Sequence, residues 1–173
     1  GQRNAALKAR VGSIGLVPWN RALIQTGEAV AAMRARYVER LAVAAAEIGE
    51  RLLGRRLHIE LRPGWQGTFA VALREGEERD VALGHTQVGP HRADLLVRLE
   101  GHSAADEASR GQQKLIAAAL VIAHVREASG AAGRSGILLV DDPAAELDRG
   151  ALGRLMGEVE ALLDEHLRIT TGL

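Results

Sequence analysis

Apolar side chains recur at helical intervals through the first third of the chain. Leu23, Val30, Met33, Tyr37, Leu41, Ala44, Ile48 and Leu52 follow one another at gaps of three, four or seven residues, which is one face of an α-helix. Asn20, behind Pro18-Trp19, offers the side-chain acceptor of an N-cap, and Gly54 offers the residue that stops a helix. The predicted helix, residues 21–53, is about 50 Å long at ~1.5 Å per residue. It reads either as an amphipathic core helix or as an arm projecting from a globular head.

Beyond Gly54 the period changes. Leu57-His58-Ile59-Glu60-Leu61 alternates as a half-buried strand with His58 on its exposed side, and Pro63-Gly64 closes it. Thr68 to Leu73 fits a second strand, whereas the charges from Glu75 to Asp80 fit an exposed helix running to Leu83; the pattern leaves both open. Asp94–Leu99 is a predicted strand with Gly101 as its turn. Ser109 opens a predicted helix that runs to about Glu127, followed by a Gly/Ala/Ser loop over 129–136. Ile137-Leu138-Leu139-Val140 is apolar throughout, as a strand buried on both faces of a parallel sheet would be. Leu147 to Glu165 reads as a helix and Leu167 to Thr171 as a closing strand. Strand, helix, strand, helix, strand is the order of an α/β layer.

Composition narrows the chemistry. With 173 residues, 47% hydrophobic content and 22 basic against 22 acidic residues, the chain is sized for a packed core and is not a disordered segment. Four aromatics (Trp19, Tyr37, Trp65, Phe69) leave an aliphatic core and little basis for stacking on single-stranded bases. No cysteine is present, which excludes disulfides, thiol catalysis and Cys-type zinc sites. The longest apolar run, Leu115 to Ala123, is far short of the ~20 residues of a membrane helix, and no secretory leader opens the chain, so a cytoplasmic protein without membrane attachment is expected. Twenty of the basic residues are arginine, and only Lys8 and Lys114 are lysine.

Three short segments carry candidate chemistry. Ile137 to Asp142 is an apolar run delivering two acids at its C-terminal end, where a carboxylate can hold Mg²⁺ beside a nucleotide. Ser109-Arg110-Gly111-Gln112-Gln113-Lys114 starts a helix, with Ser109 as its cap and Gly111 leaving room for a phosphate at the backbone N–H groups. Ala145-Glu146-Leu147-Asp148 follows the acids at once. Each alone is also an ordinary helix start or loop; their order and spacing set them apart. The histidines at 58, 85, 102, 124 and 166 show no metal-ligand spacing, and His91 suits a structural hydrogen bond.

In this order the segments resemble the C-terminal lobe of an ABC-type ATPase head, with Ser109 to Gln112 as signature motif, Asp141-Asp142 as Walker B and Ala145 to Asp148 as D-loop. Within that superfamily the chain is similar to the RecF family of bacterial DNA replication and repair proteins, through Gly89-Pro90-His91-Arg92-Ala93-Asp94-Leu95, the Ser-Arg-Gly-Gln form of the signature, Asp142 as second Walker B acid, and Pro18-Trp19 before a helix containing Met33-Arg34-Ala35-Arg36-Tyr37. The resemblance runs from about Leu16 to Thr171. It implies an arm segment at 1–54 and the lobe at 55–173.

The resemblance further implies a role for each position. Asp141 would bind Mg²⁺, usually through water, and Asp142 would position or deprotonate the attacking water. Ser109 and Gly111 would face the γ-phosphate of an ATP held by a second protomer, with Arg110 and Gln112 of the same motif also nucleotide-binding and Asp148 contacting that protomer. ATP would then drive a homodimer on single-stranded or gapped duplex DNA, acting with recombination mediator proteins in repair, replication and SOS induction. Arg34, Arg36 and Arg40 are candidate DNA contacts. Neither Lys8 nor Lys114 lies in a Gly-Lys-Ser/Thr loop, so the chain is expected to be a C-terminal piece, inactive alone, of a weak DNA-stimulated ATPase. The rival readings are a non-enzymatic helical interaction module and the head of another SMC-like ATPase, the latter needing a longer coiled coil than residues 21–53 supply.

Overall fold

The computed structural model describes residues 1–132 and 138–166. Its elements are α1 (Gln2–Lys8), α2 (Gly12–Leu53), β1 (Leu57–Arg62), α3 (Phe69–Glu75), α4 (Glu77–Leu83), a 3₁₀ turn (Pro90–Arg92), β2 (Asp94–Leu99), β3 (His102–Ser103), α5 (Ala104–Glu107), α6 (Arg110–Ala132) and α7 (Arg149–His166). The described strands form one sheet in the order β1-β2-β3. The chain divides into two compact units, Gly1–Tyr37 with Leu61–Leu95 and Val38–Glu60 with Leu96–Leu173, so it passes from one to the other within α2, β1 and β2.

The helix predicted over 21–53 begins nine residues earlier, at Gly12, and runs unbroken past Pro18. Asn20 is therefore not a cap; it is internal, and its Oδ1 accepts from Arg3 Nε at 2.7 Å. A proline inside a helix deletes one hydrogen bond and costs about 3 kcal/mol. Packing offsets that cost, because Leu16 is buried against Ala6 and Leu7 of α1, with Trp19 alongside. The far end stops where expected, at Gly54 with φ +68°. Between residues 17 and 40 of α2, Gly27 alone is buried, whereas Leu41, Ala45, Ile48 and Leu52 all are. The C-terminal half of α2 is thus a core helix, while the N-terminal half packs more sparsely, on α1 through Leu16, and Met33 of the expected apolar stripe is 56% exposed.

In the first unit, Phe69 is fully buried and stacks on Trp65 with centroids 4.3 Å apart. A Cβ on Gly27 would lie 2.6 Å from Phe69 Cε1, so α2 approaches the ring only because that residue is glycine. The stretch from Thr68, open between strand and helix in the sequence, is helical in α3 and α4, which divide at Gly76. The Gly-Pro-His-Arg segment is held by three contacts. Gly89 N–H donates to Gly64 O at 3.2 Å, Arg34 Nη1 donates to Pro90 O at 2.6 Å, and His91 Nε2 pairs with Thr86 O at 3.0 Å, the structural bond expected of His91. A buried network centres on Arg3, whose Nη1 donates to Asp80 Oδ2 at 2.8 Å and Thr86 Oγ1 at 2.6 Å.

The second unit packs the last turns of α2 with α6 and α7. Arg51 pairs with Glu158 on α7, Arg154 Nε donates to Leu52 O at 2.9 Å, and Arg40 Nε meets Glu127 Oε2 of α6 at 3.0 Å. β1 alternates buried and exposed positions from Leu57, with His58 outward as expected. β2 covers the predicted residues and pairs antiparallel with β3 through Arg98↔Ser103 and Leu99↔His102. The intervening Glu100 (φ +52°) and Gly101 (φ +86°) make the two-residue turn that such a hairpin prefers.

Three expectations for the second half fail. Helix α6 continues to Ala132, through what was expected to be the start of a loop. Helix α7 starts at Arg149 instead of Leu147, because Asp148 caps it. Most consequentially, residues 138–140 form no strand; Leu139 is 88% exposed and Val140 45% exposed. An apolar strand needs neighbours to pair its backbone and cover both faces, and the three described strands lie elsewhere. Ile137 and the closing strand Leu167–Thr171 fall outside the described residues.

Candidate functional site

Helix α6 opens with a reciprocal cap. Gln112 N–H donates to Ser109 Oγ at 3.3 Å, and Ser109 N–H donates to Gln112 Oε1 at 2.9 Å, so two of the four orphan donors at this helix start are satisfied by side chains three apart. Ser109 and Arg110 are exposed, while Gly111 and Gln112 are half-buried. Helix α7 opens on Asp148, whose Oδ1 accepts from Ala151 N–H at 2.7 Å.

Between these helix starts lies the acid loop. Asp142 N-caps nothing; its backbone is left-handed at φ +41°, and its carbonyl accepts from Ala145 N–H at 3.3 Å across a turn with Pro143 in second place. Both Asp141 and Asp142 are exposed, and neither carboxylate has a hydrogen bond or ion pair with another described residue.

The loop is docked on the first two turns of α6 at three points. Lys114 Nζ donates to Asp142 O at 2.6 Å and to Ala145 O at 3.0 Å. Arg110 Nη1 lies 3.6 Å from Glu146 Oε1, a loose pair on an 86% exposed side chain. Gly111 faces the Glu146 carbonyl so closely that a Cβ would lie 2.9 Å from its oxygen. The sequence assigned Gly111 to phosphate access; the geometry gives it a second reason, closeness of helix and loop. The seven predicted positions, Ser109, Arg110, Gly111, Gln112, Asp141, Asp142 and Asp148, therefore all lie in the second unit, on two helix starts and the loop between them.

Lys114 is the residue that sequence reasoning set aside, because it is no P-loop lysine. Nothing in the sequence distinguished it from Lys8, the other lysine. The arginines considered for DNA, Arg34, Arg36 and Arg40, all have partners within the protein, Arg34 on Pro90 O and Arg40 on Glu127. Among the described residues no cluster of three or more His, Cys, Asp or Glu suits a metal, and no helix is long and apolar enough to cross a membrane.

Comparison with known proteins shows what the chain is similar to. A protein of Edwardsiella ictaluri described as "DNA replication and repair protein RecF" is 38% identical over 160 residues, covering 91% of this chain and 44% of the relative. Its namesake in Thioalkalivibrio sulfidiphilus is 38% identical over 164 residues, 93% of this chain and 46% of the relative. The chain matches the C-terminal part of RecF.

It spans about half the length of the curated RecF relatives. No family model matches it. The fold agrees: a solved structure of "the recombination mediator protein RecF-ATP in RecFOR pathway" superposes with a TM-score of 0.80 at 23% identity, over 92% of this chain and 47% of that RecF chain. The mixed architecture, rich in helix with one small sheet, is thus shared with the matched 47% of that RecF chain.

Proposed function

We propose that the chain is the signature-bearing part of an ATP-dependent DNA-binding protein of replication, recombinational repair and SOS induction, in which ATP drives head dimerisation on DNA. The observation that carries this reading is the docking of the first turns of α6, which Ser109 caps, on the loop that bears the exposed Asp141 and Asp142, through the two Lys114 bonds to that loop. Residues 1–54 act as the arm and 55–173 as the lobe, a division by role across compact units that interleave.

The donor set at the loop fits Mg²⁺, a hard ion that takes one or two carboxylates, keeps several waters and completes its shell with phosphate oxygens. Asp141 would hold it. When bound, Mg²⁺ neutralises phosphate charge. Asp142 orients the attacking water and takes its proton as the water oxygen bonds to Pγ; the bond from Pγ to the bridging oxygen breaks, and ADP leaves with the electron pair. Ser109 and Gly111 face the γ-phosphate bound by the partner protomer, with N–H groups at the positive end of α6, and Arg110 and Gln112 of the same motif also bind nucleotide. Asp148 faces the same partner. The chemistry is alignment and charge neutralisation, for which a weak aspartate base suffices. Hydrolysis by the full-length protein is slow and DNA-stimulated; this chain alone, without a Gly-Lys-Ser/Thr loop, does not hydrolyse ATP.

Charge supports a location for DNA. The first unit carries ten Lys/Arg against six Asp/Glu, and the second twelve against sixteen, so the neutral total conceals a basic half. A single- or gapped-strand phosphate backbone is drawn to the basic unit. The test of the whole reading is light scattering of the full-length protein: Mg²⁺ and ATP together should convert monomer to dimer, and Ser109→Arg should abolish the conversion. A Ser109→Arg protein that dimerises normally defeats the reading and favours a non-enzymatic interaction module.

A further inference from the structure

Lys114 stands one turn inside α6, yet its side chain ends outside the helix. Helical side chains lean toward the N-terminus, and this one reaches back past the cap to the acid loop. There the ammonium donates to two backbone carbonyls, Asp142 O at 2.6 Å and Ala145 O at 3.0 Å, which are the first and last residues of one turn. The residue so gripped has left-handed backbone: Asp142 sits at φ +41°, a region that aspartate enters more readily than other non-glycine residues but that extended or helical backbone still outcompetes. Such a conformation is held by its surroundings. The intraloop bond from Ala145 N–H to Asp142 O is long, at 3.3 Å, so the shorter bond from the lysine is the stronger constraint.

We infer that Lys114 is a positioning residue for hydrolysis: by clasping the carbonyls of Asp142 and Ala145 it fixes the backbone from which the Asp142 carboxylate is aimed, and it ties that aim to the placement of the signature helix. The inference rests on the nucleotide reading of the site. The lysine touches neither nucleotide nor water in this role; it acts through Asp142. Nucleotide affinity is therefore set elsewhere, and only the chemical step depends on the clasp. Arginine, with a planar fork of donors, can span two carbonyls as lysine does, whereas methionine keeps the stem and deletes the charge.

The experiment uses the full-length protein with Mg²⁺-ATP and DNA, reading kcat and, separately, the Kd of a fluorescent ATP analogue. Lys114→Met should lower kcat by about 100-fold, the scale of an ångström-sized misplacement, while leaving Kd within about twofold. Lys114→Arg should restore kcat to within a few-fold. Asp142→Asn is the control for the underlying reading and should abolish hydrolysis. A Lys114→Met protein with unchanged kcat beside an inactive Asp142→Asn protein overturns the positioning role and leaves the site reading standing. Unchanged hydrolysis by Asp142→Asn overturns both. A Kd raised as much as kcat falls also overturns the inference, since the lysine would then serve binding. Should the methionine variant fail to fold, Lys114→Gln, which keeps a neutral donor, carries the same comparison with an intermediate loss expected.

Discussion

The ammonium of Lys114 lies 2.6 Å from the carbonyl oxygen of Asp142, although 28 residues separate them in sequence. That contact brings a helix start and an acid pair, each unremarkable alone, into one arrangement. Around it, Gly111 and Glu146 meet with no room for a side chain.

Gly111→Ala tests that close approach. Alanine in place of glycine near a helix start ordinarily stabilises, by up to about 1 kcal/mol. Here the new Cβ would lie 2.9 Å from a backbone oxygen, and overpacking of this kind costs about 1–3 kcal/mol. Urea unfolding should show a net loss of about 1 kcal/mol; a gain would mean that the loop yields freely.

Ser109 has a structural duty that is separable from a ligand-facing one. Removing the cap with Ser109→Ala should cost about 1 kcal/mol, and Ser109→Asn, itself a good N-cap, should cost only a few tenths. If the asparagine variant keeps its thermal stability but loses ATP-driven dimerisation in light scattering, the two duties are resolved at one residue.

Gly64 and Gly89 form another enforced glycine contact. A Cβ on Gly64 would lie 2.3 Å from Gly89 O, and its φ of +93° is itself unfavourable for any other residue. Gly64→Ala should therefore destabilise by about 3 kcal/mol, strain and collision together. Gly67, also at positive φ but with nothing within 4 Å of a Cβ, is the control, and Gly67→Ala should cost only about 1 kcal/mol, both read by chemical denaturation.

Arg3 and Asp80 are 6% and 0% exposed and paired at 2.8 Å. Breaking a buried pair from one side leaves an uncompensated charge and costs about 3–5 kcal/mol. Arg3→Met and Asp80→Leu should each lose that much, and the double variant should lose markedly less than the two together in a double-mutant cycle. Additive losses would show that Asn20, Thr86 and Gln87, the other partners of the two groups, outweigh the pair itself.

How far these features were legible differs from element to element. β1, β2, the stop at Gly54 and the cap at Ser109 were readable because each depends on residues two to four apart. Helix α1 has only seven residues and no repeat long enough to register. Asn20 misled because a residue that caps well also makes a good acceptor inside a polar network. Residues 138–140 read as a buried strand from their apolarity alone, but burial is a property of neighbours, and the described strands provide none there.

Sequence alone settled what short-range physics controls: where chains of alternating or helical period lie, which residues cap them, and which motifs stand in which order. Tertiary structure decided the rest. It chose Lys114 to hold the acid loop, left no room for a Cβ at Gly111 and Gly64, and buried Arg3 on a partner 77 residues away. The reason is that propensity and capping are encoded within one turn of backbone, whereas the clearance between a Cβ and a distant carbonyl, or the pairing of a buried charge, exists only once the chain has closed upon itself.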